Sequence, residues 1–443
     1  MDDGTDRLVS VALKSIGCRT NQEEMVALQF RLQQEGFQIV EQISDADVII
    51  VNTCSVTSFT ESKTRRLLNS LSQEAPQAEI LVTGCLAQQK PQELKNFKSV
   101  TWVVGNTLKA QISTILANKR GGIFHLSFDT DLNSFEQGVP SISPDEIGEG
   151  FRTRFPLKIQ EGCDNSCAYC IVPSVRGPSR SQGLRTVLET ASKAIDCGYK
   201  ELVLTGTHIG QFDKANGGLL NLLEHLSQLS GDFRIRLSSL DPRDLSSSLI
   251  SLIQTEKKIC KHLHVSVQSL CQDILRSMGR PCDDLEKLIE TLAGFREKTP
   301  TAALGSDIIV GFPGETDENF RTTCVNATRI GFTYAHVFRY SRRPGTRAAD
   351  FANQVSEAVK SERSAVLRDL IEKSKSGFFE KTASEIQKII VESESPVRGL
   401  TSNYIHVEVP GINMPRNTWL EVAVSSQKRG RFFLAKPFTE KVL

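Results

Sequence analysis

The 443-residue sequence predicts an α/β protein in three parts: an N-terminal doubly wound parallel sheet, a central partial (β/α)6 barrel and a small C-terminal all-β barrel. Apolar strands alternate with helical stretches over the first ~115 residues and again from residue 155, a pattern that implies parallel sheets. The second series holds about six βα units, short of the eight of a complete barrel. Beyond residue 386 the pattern changes to short alternating runs broken by Gly, Pro and Asn, as expected of a small β-module.

Residues 8–16 read as a strand ending in Gly17-Cys18, and 21–36 as a helix stopped by a glycine. Residues 47–51 read as a buried strand ending in Asn52-Thr53-Cys54, 60–71 as a helix, and 79–82 as a strand running into Thr83-Gly84-Cys85. Ligands of open parallel sheets sit at the carboxyl ends of the strands, so this topology brings three distant cysteines to one edge. Residues 121–150 have weak periodicity and read as a linker. Barrel strands are expected at 155–160, 201–205, 233–238, 262–268, 303–310 and 334–340, with helices such as 184–197 and 217–229 between them. Residues 361–385 read as a helical connector, and short strands follow at 388–392, 404–409, 419–424 and 431–434. The expected domains are therefore 8–120, a linker at 121–150, 151–378 and 379–443.

Lys+Arg 53 against Asp+Glu 52 leaves no whole-chain basic footprint, so any contact with nucleic acid must come from a local patch. Residues 381–443 hold nine Lys/Arg against six Asp/Glu. With Tyr404, Phe432 and Phe433, that surplus suits RNA binding by charge and stacking, or equally an ordinary β-domain surface and core. The acidic, polar first residues and the lack of a long apolar run predict a soluble, cytoplasmic protein without a membrane span. An odd count of 11 cysteines in a chain of this size reads as metal ligands or catalytic groups rather than a disulfide framework.

The strongest motif is Cys163-Asp164-Asn165-Ser166-Cys167-Ala168-Tyr169-Cys170, just after the first barrel strand. Three thiolates on one loop can hold an iron–sulfur cluster and leave one iron open to a substrate. The competing reading is a zinc site, which wants a fourth ligand; His208, after the next strand, is the best local candidate. Thr205, Gly206 and His208, with Gly311, Pro313, Gly314 and Glu315, follow predicted strands and could shape a cofactor pocket or simply form turns. Gln268 ends a strand and could bind ligand or satisfy the barrel interior. Arg176 and Arg180 could meet RNA phosphate, a ligand carboxylate or solvent. Cys197, Cys260, Cys271, Cys282 and Cys324 read as core or surface residues, and His262 and His264, on one strand face, are not expected to be ligands.

The three-cysteine loop resembles that of the radical S-adenosylmethionine superfamily. Gly17-Cys18, Asn52-Thr53-Cys54 and Gly84-Cys85 are similar to the N-terminal cysteine set of its methylthiotransferases. Arg280-Pro281, Gly311-Phe312-Pro313-Gly314-Glu315-Thr316 and Pro344-Gly345-Thr346-Arg347 also match, and the C-terminal module resembles a TRAM domain. Gly17-Cys18-Arg19-Thr20-Asn21-Gln22 and Asn52-Thr53-Cys54-Ser55-Val56-Thr57 are most similar to the threonylcarbamoyladenosine tRNA branch. The sequence departs from the pattern at Cys282 and at Leu270-Cys271.

The resemblance implies two 4Fe-4S clusters, one on Cys163, Cys167 and Cys170 and an auxiliary one on Cys18, Cys54 and Cys85. It further implies S-adenosylmethionine, a tRNA substrate modified near the anticodon at position 37, and an external one-electron donor such as a flavodoxin or ferredoxin. Adenine C2–H is neither acidic nor activated, so hydrogen abstraction by a 5′-deoxyadenosyl radical is the expected chemistry. Sulfur associated with the second cluster would be methylated by another S-adenosylmethionine and transferred. The alternatives are the isopentenyladenosine or ribosomal protein S12 branches, or a noncatalytic metal-binding RNA-binding protein.

Overall fold

A computed structural model describes residues 8–438 except 56, 119, 126–152, 281 and 384. Most of the predicted linker, together with Val56 and Pro281 of the motifs, lies outside the described residues.

The N-terminal strands are β1 (Ser10–Ser15), β2 (Gln38–Ile39), β3 (Val48–Thr53), β4 (Glu79–Gly84), β5 (Val100–Val104) and β6 (Gly122–Phe124). They form one parallel sheet in the order β2-β1-β3-β4-β5-β6. Every residue of β3 is buried, because helices cover both faces of the sheet. Ile49 and Val51 pack with Leu68 and Leu71 of helix Ser58–Glu74. Val48 and Ile50 pack with Met25 and Leu28 of helix Arg19–Gln34. Alternate residues thus serve two separate cores, which is the doubly wound arrangement. Strands β2, β5 and β6 were not anticipated from sequence; β2 and β6 span only two and three residues, too short for a period to register.

The central strands are β7 (Phe155–Glu161), β8 (Arg180–Ser181), β9 (Glu201–Gly206), β10 (Arg234–Leu237), β11 (His262–Gln268), β12 (Ala303–Val310) and β13 (Tyr334–Arg339). Parallel pairing runs β7-β9-β10 and β11-β12-β13. The bridges Ile235↔Ile259 and Leu240↔Val265 close the gap between the two groups. Six parallel strands therefore make one curved wall, the predicted partial barrel; β8 only pairs antiparallel with the end of β7.

Helix Glu357–Thr382 leads to β14 (Ile386–Glu394), β15 (Val397–Thr401), β16 (His406–Val409), β17 (Trp419–Arg429) and β18 (Phe432–Pro437). These close as β14-β15-β16-β18-β17. Strand β15 was missed in the sequence, where its Gly399 and flanking Pro396 suggest a turn.

Buried charges join the parts. Glu201 of β9 pairs with Arg234 (2.6 Å) and Arg236 (2.7 Å). Arg234 donates onward to the carbonyls of Lys388 (2.9 Å) and Leu400 (2.8 Å), and Arg236 to that of Thr401 (2.9 Å). The C-terminal barrel is thereby latched to the central one, and its Tyr404 stacks on His262 and Tyr334 at the starts of β11 and β13.

Candidate active site

The first cysteine group stands on the loop after β7. At Gly162 the backbone has φ +76° and an added Cβ would lie 1.8 Å from Pro178 O, so a residue with a side chain cannot make this turn. Cys163 N donates to Gly177 O (3.1 Å), Ala168 N to Met278 O (2.8 Å) and Cys170 N to Cys167 O (3.1 Å), which pins the loop at both ends and in its middle. Cys163, Cys167 and Cys170 line one cavity of about 160 Å³ with Tyr169, His208, Gln268 and Arg280. Arg280 Nη1 lies 3.7 Å from Cys167 Sγ and its Nη2 pairs with Asp241 (2.9 Å). Burial pushes the Cys170 thiol up to about 12, so an ionised ligand there needs a cation close by.

His208, the candidate fourth zinc ligand, has Nε2 on Asp244 (2.5 Å) and Nδ1 3.8 Å from Cys163 Sγ. Burial opposes its charge, but the hydrogen bonds with Asp244 and Cys163 prevail and raise it to about 9. Asp244 holds the ring through Nε2 and thereby turns Nδ1 toward Cys163 Sγ.

The second group is assembled at the carboxyl edge of the N-terminal sheet. Cys18 follows β1, Cys54 follows β3 and Cys85 follows β4. The turns converge because glycines sit in them: a Cβ on Gly17 (φ +122°) would meet Cys54 Cβ at 2.2 Å, and one on Gly84 (φ +98°) would meet Thr53 O at 2.3 Å. Asn21 Nδ2 ties Ile16 O (3.1 Å) to Thr53 O (2.8 Å), and Asn52 Nδ2 reaches Asn21 O (2.9 Å). Cys18, Cys54 and Cys85 line a larger cavity of about 480 Å³. Val172, Thr207 and Ser239 line both cavities, so the two groups face adjoining spaces.

Beside the second group lies a buried charge network. Glu24 pairs with Lys109 (2.5 Å), Arg176 (2.7 Å) and Lys158 (3.3 Å), while Glu161 pairs with Lys158 (2.9 Å) and Arg176 (3.0 Å). Burial works against the charge of Glu24, but these cations outweigh it and hold the carboxyl well below its usual range. Three cations face two carboxylates, leaving a surplus positive charge next to the thiols. The hydrogen bond with Cys54, helped by Arg176, draws the Cys18 thiol down to about 5. Arg176, which the sequence left between RNA, ligand and solvent, is thus buried on two protein carboxylates; it also binds the N-terminal domain to the barrel.

These residues fit iron–sulfur clusters. None of the 11 cysteines is in a disulfide, each cavity carries three thiols, and soft thiolates are the natural ligands of iron–sulfur iron. The structure distributes the other candidates unevenly. Thr205 and Gly206 line the larger cavity, whereas His208 and Gln268 (φ +64°) line the smaller. Gly311, Pro313 and Gly314 line neither. Gly311 N donates to Glu315 Oε2 (2.6 Å), Glu315 pairs with Arg363 (2.7 Å), and a Cβ at Gly311 would lie 2.3 Å from Lys360 Cγ. That segment is a turn packed against the long helix. Conversely His262 and His264, passed over in the sequence, line the larger cavity with Asp307, Tyr334 and His336. Two histidines at alternate positions of a barrel strand were the signal: they share a face, and in a barrel that face looks inward.

The model of the radical SAM superfamily matches residues 157–325, and that of the uncharacterised protein family UPF0004 matches 10–105. The fold resembles the radical S-adenosylmethionine methyltransferase TsrM from Kitasatospora setae, with a TM-score of 0.57, 14% identity and 77% of each chain covered. The strand wall and its cysteine loop thus define a radical S-adenosylmethionine enzyme. The chain is 34% identical to the threonylcarbamoyladenosine tRNA methylthiotransferase MtaB of Aquifex aeolicus, covering 91% of this chain and 97% of that one. Against the MtaB proteins of Thermotoga maritima and Bacillus subtilis it is 33% identical, covering 89% of both chains and 91% of both chains, respectively. The chain belongs to the MtaB-type methylthiotransferase family. It is a radical S-adenosylmethionine methylthiotransferase, with 4Fe-4S clusters and S-adenosylmethionine as cofactors.

Proposed function

We propose that this enzyme converts N6-threonylcarbamoyladenosine at position 37 of tRNA to its 2-methylthio derivative, with Cys163, Cys167 and Cys170 holding the cluster that binds S-adenosylmethionine and Cys18, Cys54 and Cys85 holding the second. The observation that carries this reading is the pair of three-thiol groups lining adjoining cavities. Bound there, the first cluster and S-adenosylmethionine supply one electron and a carbon radical able to take hydrogen from the unactivated C2 of adenine.

The protein's own part is placement. Its barrel presents the cysteine loop at the strand ends, Arg280 offsets thiolate charge there, and the Glu24–Arg176 network fixes the N-terminal sheet over the opening. The C-terminal barrel would track the RNA: Lys388 lies 4.4 Å from the Trp419 ring centre, and Arg398 and Arg431 lie 4.5 and 4.9 Å from that of Phe432. We assign the N-terminal cluster domain to 8–120, the linker to 121–150, the barrel to 151–378 and the RNA-binding domain to 379–443. A cytoplasmic flavodoxin or ferredoxin would supply the electron. No helix among the described residues is long and apolar enough to cross a membrane.

The test is mass spectrometry of tRNA nucleosides from cells with and without the gene. Loss of 2-methylthio-threonylcarbamoyladenosine with accumulation of its precursor is the expected result. An unchanged profile would remove the substrate assignment and turn attention to the ribosomal protein.

A further inference from the structure

The larger cavity has a second wall, made without cysteines. Strands β11, β12 and β13 bring His264, Asp307 and His336 together there. His264 Nε2 lies 3.2 Å from Asp307 Oδ2 and His336 Nδ1 lies 3.0 Å from Asp307 Oδ1. Ser266 Oγ also donates to Asp307 Oδ2 (3.0 Å). Tyr334 Oη bonds His264 Nδ1 (2.8 Å), and Tyr404 from the C-terminal barrel stacks on Tyr334 with ring centres 5.0 Å apart. Gly305 makes room for this: a Cβ there would lie 2.0 Å from the Tyr334 ring.

This chain of bonds orients the wall. With Nδ1–H given to Asp307, His336 turns Nε2 away from the carboxylate, and its side chain is 53% exposed. Elsewhere in the same lining, the hydroxyls of Ser55, Thr207 and Ser238 are buried and have no hydrogen-bond partner among the described residues. This cavity of about 480 Å³ carries the Cys18, Cys54 and Cys85 thiols on its other side, so a nucleoside held against the wall would face the second cluster.

We propose that His336, held in place by Asp307 and His264 and braced by Tyr334 and Tyr404, recognises the polar N6 side chain of the reacting adenosine. The inference rests on the substrate assignment above and deepens it. The threonylcarbamoyl group carries N–H, carbonyl, hydroxyl and carboxylate functions, for which His336 Nε2, turned away from Asp307, supplies a hydrogen-bonding partner. An isopentenyl group carries none, and in its place His336 Nε2 would gain no partner from the side chain. The three side chains could also be read as a cation site, since their ligand atoms lie within 4.8 Å of one another. Both ring nitrogens of His264 and both oxygens of Asp307 are already hydrogen-bonded, so these two residues position His336 and leave its Nε2 to make the contact.

The experiment uses the full-length, cluster-reconstituted protein and anticodon stem-loop RNAs carrying threonylcarbamoyladenosine, isopentenyladenosine or adenosine. Binding is read by fluorescence anisotropy, and KM and kcat from product formation. His336→Leu should weaken binding and raise KM for the threonylcarbamoyl RNA by about 10- to 100-fold, leaving the other two RNAs unchanged. His336→Gln, which keeps a hydrogen-bonding end, should recover part of the loss. Iron content and reductive cleavage of S-adenosylmethionine should stay at wild-type levels. Equal losses on all three RNAs, no loss on any, or a stoichiometric non-iron metal that disappears with His336→Leu would overturn the proposal. A wild-type enzyme unable to modify the threonylcarbamoyl RNA would instead sink the substrate assignment.

Discussion

Cys163, Cys167 and Cys170 share one eight-residue loop, whereas Cys18, Cys54 and Cys85 arrive from three strand ends more than thirty residues apart. The first group depends on one backbone turn and a few loop hydrogen bonds. The second depends on the register of β1, β3 and β4, on Gly17 and Gly84 in strained turns, and on a buried charge network shared with another domain. A local site can survive damage elsewhere in the fold. A site assembled at a sheet edge fails whenever the sheet or its docking fails.

The largest expected effect separates the two sites by chemistry. Cys167→Ala should abolish reductive cleavage of S-adenosylmethionine, while Cys54→Ala should retain cleavage and lose methylthio transfer. Each should lower iron from about eight to about four per chain by metal analysis under anaerobic reconstitution. Loss of cleavage in both variants would break the division of labour.

Arg176→Met comes next. It leaves Glu24 and Glu161 buried with fewer cations, which should cost about 3–5 kcal/mol in chemical denaturation. The second cluster should be lost more readily than the first. A smaller effect is expected of Gly17→Ala, where strain on the order of 1–3 kcal/mol and the contact with Cys54 should impair assembly of the second cluster alone. Electron paramagnetic resonance of the reduced protein would show it, and a signal reduced equally at both sites would contradict the separation. The smallest is Asn106→Ala. Asn106 Nδ2 donates to Val175 O (2.8 Å) and lies 3.7 Å from Cys85 Sγ, so its loss should cost about 1 kcal/mol by thermal unfolding with both clusters retained.

The contrast also explains what was readable in advance. Strands of six or more residues such as β3, β11 and β12 lie where the sequence placed them, whereas the five-residue β5 did not register. Short β2, β6 and the glycine-bearing β15 did not register, since pairing with neighbours and not their own pattern makes them strands. Gly311, Pro313 and Gly314 follow β12 as the sequence predicts, but their packing on Lys360 and Arg363 is a tertiary fact that spacing does not show.

By itself the sequence determined the alternation that makes the sheets, the three-part order and the cysteine loop, because strand period and a ligand spacing within eight residues are carried by covalent neighbours. The tertiary structure alone decided that Arg176 is buried on Glu24 and Glu161, that the two thiol groups share a border, and that His264, Asp307, His336 and Tyr404 meet in one cavity. Those groups come from different strands and domains. Their meeting is set by strand register, barrel curvature and domain docking, none of which leaves a mark in the spacing of residues along the chain.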